Sequence, residues 1–205
     1  MKPRILSLVA LLIFGVNISC TNAGNTNQSS SNTEPMTPAS DTNKHLEKAI
    51  FAGGCFWGVQ YFFEKAKGVT DTKVGYTGGH VDHPTYEQVC SHTTGHYEAI
   101  EVTYDNRVTN YENMARLFFN IHDPTQSDGQ GPDIGQQYQS VVFYMNDSQK
   151  QIAQKLIDQL NAKGMKIATV LKPAATFWPA EDYHEHHYDK EGSTPYCHHY
   201  QDKFN

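Results

Sequence analysis

The chain has 205 residues, 16 Lys and Arg against 22 Asp and Glu, and a formal net charge of −6. That length suits one domain with appendages, and the acidic balance excludes a charge-driven binder of nucleic acid or of an anionic membrane face. Eleven His, 12 Tyr, 10 Phe and 2 Trp suit instead a pocket walled by rings with polar tips.

At the N-terminus, Lys2 and Arg4 precede an apolar run over residues 5–16. The run is too short to span a bilayer and fits a secretory h-region. It ends at Asn17-Ile18-Ser19-Cys20. A small residue followed by Cys resembles a lipobox, in which Cys20 is lipidated and becomes the mature N-terminus. Asn17 stands where an aliphatic residue is usual. Residues 1–19 thus read as a signal peptide, and 20–44 as a lipidated Cys with a disordered tether. Residues 21–44 hold no aromatic residue and no Val, Ile or Leu, so they cannot bury enough apolar surface to offset ordering entropy. A flexible segment of this length reaches roughly 25–30 Å. The expected location is extracytoplasmic, at a membrane through the lipid anchor. A soluble periplasmic or secreted form is the alternative.

From residue 45 the texture changes, and 45–205 reads as one domain. Residues 48–52 form a short apolar strand. Gly53-Gly54 break it, and 55–65 continue as a helix with Phe56, Val59, Phe62 and Phe63 at helical spacing. Residues 72–76 read as a strand and Gly78-Gly79 as a turn. Tyr86 and Cys90 stand one helical turn apart. Residues 97–104 alternate as a strand does. Residues 110–121 read as a helix with Asn110 as N-cap, and 140–145 as a strand. The clearest helix is 147–162, with Ile152, Leu156, Ile157 and Leu160 on one face and Gly164 past its end. Residues 167–171 read as a strand stopped by Pro173, and 180–190 as a short helix. The last fifteen residues show no pattern. Strands and helices mix without regular βαβ spacing, which gives an α+β fold. It is expected as a two-layer sandwich with a mixed sheet, flanking helices and a long irregular C-terminal segment.

Gly53-Gly54-Cys55-Phe56-Trp57-Gly58 carries the chemistry. It follows a strand and opens a helix, where unpaired N–H groups and a partial positive charge stabilise a thiolate. A Cys so placed is expected to have a lowered pKa and to be nucleophilic. On position alone, a buried structural Cys at a strand–helix junction fits as well.

Further segments decide between the two. Gly75-Tyr76-Thr77-Gly78-Gly79, Pro84-Thr85-Tyr86 and Thr94-Gly95-His96-Tyr97-Glu98-Ala99 follow in order. His122-Asp123-Pro124, Asp133, Gln136-Gln137-Tyr138 and Ala180-Glu181-Asp182-Tyr183-His184 come after them. One piece would be weak, but the ordered series over about 48–197 is specific. The chain resembles the A-type peptide methionine sulfoxide reductases, thiol enzymes on the methionine oxidation ladder.

The resemblance implies a role for each residue. Cys55 attacks the sulfoxide sulfur, and Glu98 supplies a proton to the oxygen from a carboxyl kept neutral by burial. Tyr86 and Tyr138 hold the oxygen, while Phe56 and Trp57 take the ε-methyl group. Asp133 and His184 contact the substrate's backbone. Cys55 is left as a sulfenic acid, and Cys197, in a mobile C-terminal stretch, condenses with it. Cys90, on a helix in packed surroundings, does not. The Cys55–Cys197 disulfide then meets a thioredoxin-like reductant. The substrate is the S epimer of methionine sulfoxide, free or in proteins. The chain is expected to act as a monomer without cofactor, metal or nucleic acid. The rival readings are a metal site in His184, Glu185, His186, His187, Cys197, His198 and His199, a non-catalytic receptor on the same fold, and a secreted domain stapled by Cys pairs. The histidine spacing fits no zinc signature. A receptor would be expected to lack Cys55, Glu98 or Cys197, and all three are present. Three thiols beside a lipidated Cys20 suit a redox pair better than a disulfide framework.

Overall fold

The computed structural model describes residues 42–205. The segments predicted as a signal peptide, a lipidated Cys20 and nearly all of a tether lie outside the described residues. The end of the predicted tether is a 3₁₀ turn, Thr42–His45.

In chain order the elements are β1 (Leu46–Ala52), α1 (Phe56–Phe63), β2 (Val69–Thr77), α2 (Tyr86–Cys90), β3 (Tyr97–Asp105) and α3 (Tyr111–Ile121). There follow β4 (Gly129–Gln130), β5 (Asp133–Ile134), β6 (Val141–Tyr144), α4 (Asp147–Ala162), β7 (Val170–Pro173), β8 (Trp178–Pro179) and α5 (His187–Glu191). Six strands make a sheet in the order β7-β6-β1-β3-β2-β8, and β4 with β5 makes a separate ribbon. The β6–β7 pair is parallel and the other pairs are antiparallel, so the sheet is mixed.

Strand alternation builds two faces. Ala49 and Phe51 of β1, Ile100, Val102 and Tyr104 of β3, and Val142 of β6 pack against α1, α3 and α4. Their neighbours Ile50, Ala52, Tyr97, Ala99, Val141 and Phe143 meet Ala174 and Phe177 on the opposite face. The helices stop and start where the side chains dictate. Asn110 Oδ1 accepts from Asn113 N–H (2.9 Å) to cap α3, and Asn146 Oδ1 accepts from Gln149 N–H (2.9 Å) to cap α4.

Two sequence expectations need correction. The strand predicted from 167 begins at Val170. Before it, Ile167 N–H donates to Asn161 Oδ1 and Ala168 N–H to Pro124 O, so their backbone is committed elsewhere. The helix predicted over 180–190 is broken into a 3₁₀ turn, Asp182–His184, and α5. His186 lies between them in the left-handed region (φ 56°). The kink turns Glu185 back onto the sheet, where it accepts from Val74 N–H (3.0 Å) and Gln60 Nε2–H (2.5 Å).

The C-terminal segment is irregular but anchored. Gln201 N–H donates to Asn120 O (2.8 Å), Lys203 N–H donates to Asn120 Oδ1 (3.0 Å), and Phe204 packs on Phe119. This ties the tail to the end of α3 and returns residues 196–198 to the start of α1.

Candidate active site

Cys55 is the N-cap of α1, its carbonyl accepting from Gly58 N–H at 3.1 Å. The preceding Gly54 has φ +99°, and a Cβ there would stand 2.6 Å from the Gln130 side chain. Only glycine meets both demands. Across from Cys55, strand parity puts Glu98 on the helix side of β3, in line with Ile100, Val102 and Tyr104. Its Oε2 accepts from Phe56 N–H, the first free amide of α1, at 3.2 Å. The carboxyl is 1% exposed. Burial, with the charge of Asp133 adding to it, pushes its pKa up to about 8 against the Phe56 hydrogen bond. Glu98 is therefore mostly a neutral acid at pH 7.

Cys55 departs from expectation. The helix N-terminus was expected to depress its pKa, and the Trp57 N–H does act in that direction. Burial outweighs it, and a charge on Glu98 would raise the thiol further. Below the titration of Glu98 that charge is absent, so thiol and carboxylic acid face each other both protonated.

The phenols of Tyr86 and Tyr138 border this pair. Both are half-buried, and burial raises both. The Cys90 thiol and the charge of Glu98 add to the shift of Tyr86, and the charges of Glu98, Cys90 and Cys55 add to that of Tyr138. Tyr86 opens α2, whose N-cap Thr85 forms a capping box with Gln88. Tyr138 ends the 3₁₀ turn Gln136–Tyr138.

Trp57 is the accessible aromatic wall. Its indole N–H donates to His184 Nδ1 (3.2 Å), and its ring stacks on His187 at 3.7 Å. Phe56, expected beside it on the methyl-binding surface, is 1% exposed and packs with Val74, Tyr76 and Val89 behind the wall. His184 was expected to touch the substrate's backbone. It is 0% exposed, enclosed by Phe56, Trp57, Tyr86 and Tyr183, and it holds the indole in place. Because Nδ1 accepts, Nε2 carries the proton, 3.6 Å from Glu181 Oε2. Asp133 was given the same backbone role. Here both its oxygens accept from Tyr196 O–H, at 3.0 Å each.

The second thiol is close. Cys197 is 5% exposed, and its carbonyl accepts from Gln130 Nε2–H (3.2 Å). Burial, then the charge of Asp133, pushes the thiol up to about 12. Cys55, Cys90 and Cys197 are all free thiols. Cys90 is half-buried on α2 and less enclosed than expected.

Two residues that shape the site carried no catalytic or substrate-binding assignment from the sequence. Glu181 accepts from Tyr86 N–H (3.0 Å) and Tyr76 O–H (2.9 Å), fixing the first turn of α2 against β2. Burial alone would raise its carboxyl, but those bonds hold it below the usual range. It lies within a recognised motif, which was the available signal. His198 donates from Nε2 to Gly53 O at 2.7 Å, and nothing in the linear sequence marks that contact. The histidine-rich cluster, considered as a metal site, disperses. His184 serves Trp57, His186 bonds Glu64, His187 stacks on Trp57, and His198 bonds Gly53. Among the described residues no three His, Cys, Asp or Glu converge as a ligand set.

Comparison with known proteins gives the geometry a family. The model for "Peptide methionine sulfoxide reductase" matches residues 47–205. The chain is 49% identical over 150 residues to the peptide methionine sulfoxide reductase MsrA of Methanosarcina acetivorans, covering 72% of this chain and 80% of that protein. It is 45% identical over 153 residues to that of Saccharolobus solfataricus, covering 74% and 86%. Among solved structures, reduced Mxr1 from Saccharomyces cerevisiae superposes with a TM-score of 0.71 at 34% identity, covering 77% of this chain and 93% of that one. Methionine sulfoxide reductase A of Corynebacterium diphtheriae gives 0.65 at 31% identity, covering 73% and 76%.

Proposed function

The chain belongs to the peptide methionine sulfoxide reductase family and reduces methionine sulfoxide to methionine, a repair of oxidative damage to protein; on that premise we propose that Cys55 is its nucleophile, Glu98 its acid and Cys197 its resolving thiol. The observation that carries this reading is the pair formed by Cys55 and the enclosed carboxyl of Glu98 at the first amide of α1. A carboxylic acid that keeps its proton at neutral pH can protonate the sulfoxide oxygen as sulfur–oxygen bonding weakens. The Tyr86 and Tyr138 hydroxyls orient that oxygen, and Trp57 receives the methyl group.

The reaction balances in two steps. Cys55–SH and the sulfoxide give Cys55–SOH and the sulfide. Cys197–SH and Cys55–SOH then give the disulfide and water. A thioredoxin-like dithiol from outside reduces the disulfide. The phenols and acid hold oxygen apart from the Trp57 wall, so the pocket takes one arrangement of methyl, oxygen and chain, and the family likeness makes it the S epimer. Asp133 meets the substrate's backbone once Tyr196 releases it. The test is mass spectrometry after one turnover with each epimer. The S epimer yields methionine and a Cys55–Cys197 disulfide, and equal turnover of both epimers overturns the assignment.

Residues 1–19 as an export signal, Cys20 as a lipidated N-terminus and the polar segment after it put the domain of 45–205 on a membrane outside the cytoplasm. What supports this is the apolar run 5–16 and the Ser19-Cys20 pair. Metabolic labelling with a fatty acid marks the chain at Cys20. An unlabelled chain that starts elsewhere is the soluble exported form.

A further inference from the structure

Three observations meet at His198, outside the thiol–acid pair. Its Nε2 lies 2.7 Å from Gly53 O. A carbonyl only accepts, so Nε2 carries the proton and Nδ1 presents a bare lone pair. That Nδ1 lies 3.1 Å from Cys197 Sγ, so the thiol is the donor in this contact. The ring is 3% exposed and lies where α1 leaves space for it, since a Cβ on Gly58 would stand 2.2 Å from Nδ1. The contact is thus built from both sides: a carbonyl fixes the tautomer, and a side-chain-free position in the first turn of α1 admits the imidazole.

We propose that His198 is the general base of the resolving step, taking the proton of Cys197 as its sulfur attacks the sulfenic acid of Cys55. This rests on the reading of Cys197 as the resolving thiol. As the Cys197–Cys55 S–S bond forms, the S–O bond of Cys55–SOH breaks and its electron pair leaves with oxygen. The Cys197 proton passes to His198 Nδ1 and on to the departing hydroxyl, so water is released and His198 ends neutral. The oxidant is the sulfoxide, already consumed in forming the sulfenic acid.

The need for a base follows from the surroundings. A thiol this enclosed does not ionise unaided near neutral pH, since burial opposes its charge. Burial also keeps His198 neutral, with its pKa down to about 4, so the lone pair is free throughout the working range. The titratable groups facing the pair are Asp133 of β5, Glu98 of β3, Cys55 at α1, Tyr188 of α5, His122 after α3, and Tyr196 and His199 on the tail. Asp133 is the rival base: its carboxylate also lies within reach of the Cys197 thiol, while sharing the Tyr196 O–H between its two oxygens.

The experiment is a rapid-quench single turnover with one equivalent of methionine sulfoxide and no external reductant. Sulfenic acid and disulfide are resolved by mass. Methionine formed in the burst normalises each sample for competent enzyme. His198→Gln can still donate to Gly53 O but presents no base at the Nδ1 position. Its sulfenic acid should persist, with disulfide formation slowed on the order of 10²-fold. The residual rate should rise about tenfold per pH unit, because only ionised thiol then reacts, while the wild-type rate is much flatter. His198→Asn restores an acceptor without basicity and should not rescue the rate. Parallel pH profiles for wild type and His198→Gln would reduce the residue to a structural prop and overturn the proposal. So would a wild-type rate in His198→Gln together with a slow step in Asp133→Asn, which moves the base to Asp133. A failure of the underlying reading looks different: Cys197→Ser would then still form a disulfide, through Cys90.

Discussion

Replacing Glu98 by Gln should make the protein more stable and less active, and the stability gain should depend on pH. The folded state holds the Glu98 proton up to about pH 8, whereas an ordinary glutamate loses it near 4.5. Between those values the native state binds one more proton than the unfolded state, so stability falls as pH rises, by about 1.4 kcal/mol per pH unit. The contribution is fully present below 4.5 and fully lost above 8. At pH 7 enclosing the carboxyl therefore costs about 3 kcal/mol, and above pH 8 about 5 kcal/mol. An amide does not titrate, and its oxygen can still accept from Phe56 N–H. The variant's excess stability over wild type should be small at pH 4.5, climb through pH 7 and level off near pH 8. Denaturant unfolding of both proteins at pH 5, 7 and 9, with equal m-values, measures this. The rate of methionine release in one turnover should fall on the order of 10²-fold or more, and the deficit should shrink at low pH, where solvent can protonate the oxygen. A stability difference that stays flat from pH 5 to 8 would mean that Glu98 is ionised in the fold, and its role as acid would fail.

Cys197→Ser should release one equivalent of methionine, leave Cys55 as a dimedone-reactive sulfenic acid and stop recycling, whereas Cys90→Ser should cycle as wild type does; peptide mass mapping after one turnover checks both. His184→Phe should leave the Trp57 indole N–H without its acceptor at the site. The loss of one such bond, about 1–1.5 kcal/mol, corresponds to roughly tenfold in kcat/KM, and unchanged steady-state kinetics with an unshifted Trp57 emission would show that the bond does not position the ring. Gly58→Ala should slow disulfide formation, even though Ala favours a helix by about 1 kcal/mol over Gly, because its Cβ displaces His198; an unaltered decay of the sulfenic acid would refute the steric reading.

Local signals in the sequence were enough for most of the elements and for singling out Cys55 as a candidate nucleophile. Alternation marked β3, apolar spacing and Gly164 bounded α4 at Ala162, and Asn110 capped α3 where its side chain said it should. The position of Cys55 between a strand and a helix is likewise a local fact, and family motifs then attached Glu98, Tyr86, Tyr138 and Cys197 to it. The electrostatics needed the tertiary structure. A helix N-terminus argues for an acidic thiol, yet enclosure decides the opposite for Cys55, because desolvation depends on every element packed around it. The same holds for Phe56 and His184. Their motifs mark them as site residues, and the packing of α1, β2 and the turn before α5 decides how enclosed they are.

The tail shows the division most clearly. Residues 191–205 have no period and read as mobile, because periodicity reports only packing that repeats along one element. Their order comes from single bonds to distant partners: Gln201 to Asn120, Gln130 to Cys197, and His198 to Gly53. Such contacts join positions 67 to 145 residues apart for the last two, and no local pattern encodes them. The sequence by itself therefore determined which residues can do chemistry and which strands and helices carry them. Only the folded chain decided which protons they hold and which of them meet, because burial and long-range contact are properties of the assembled core.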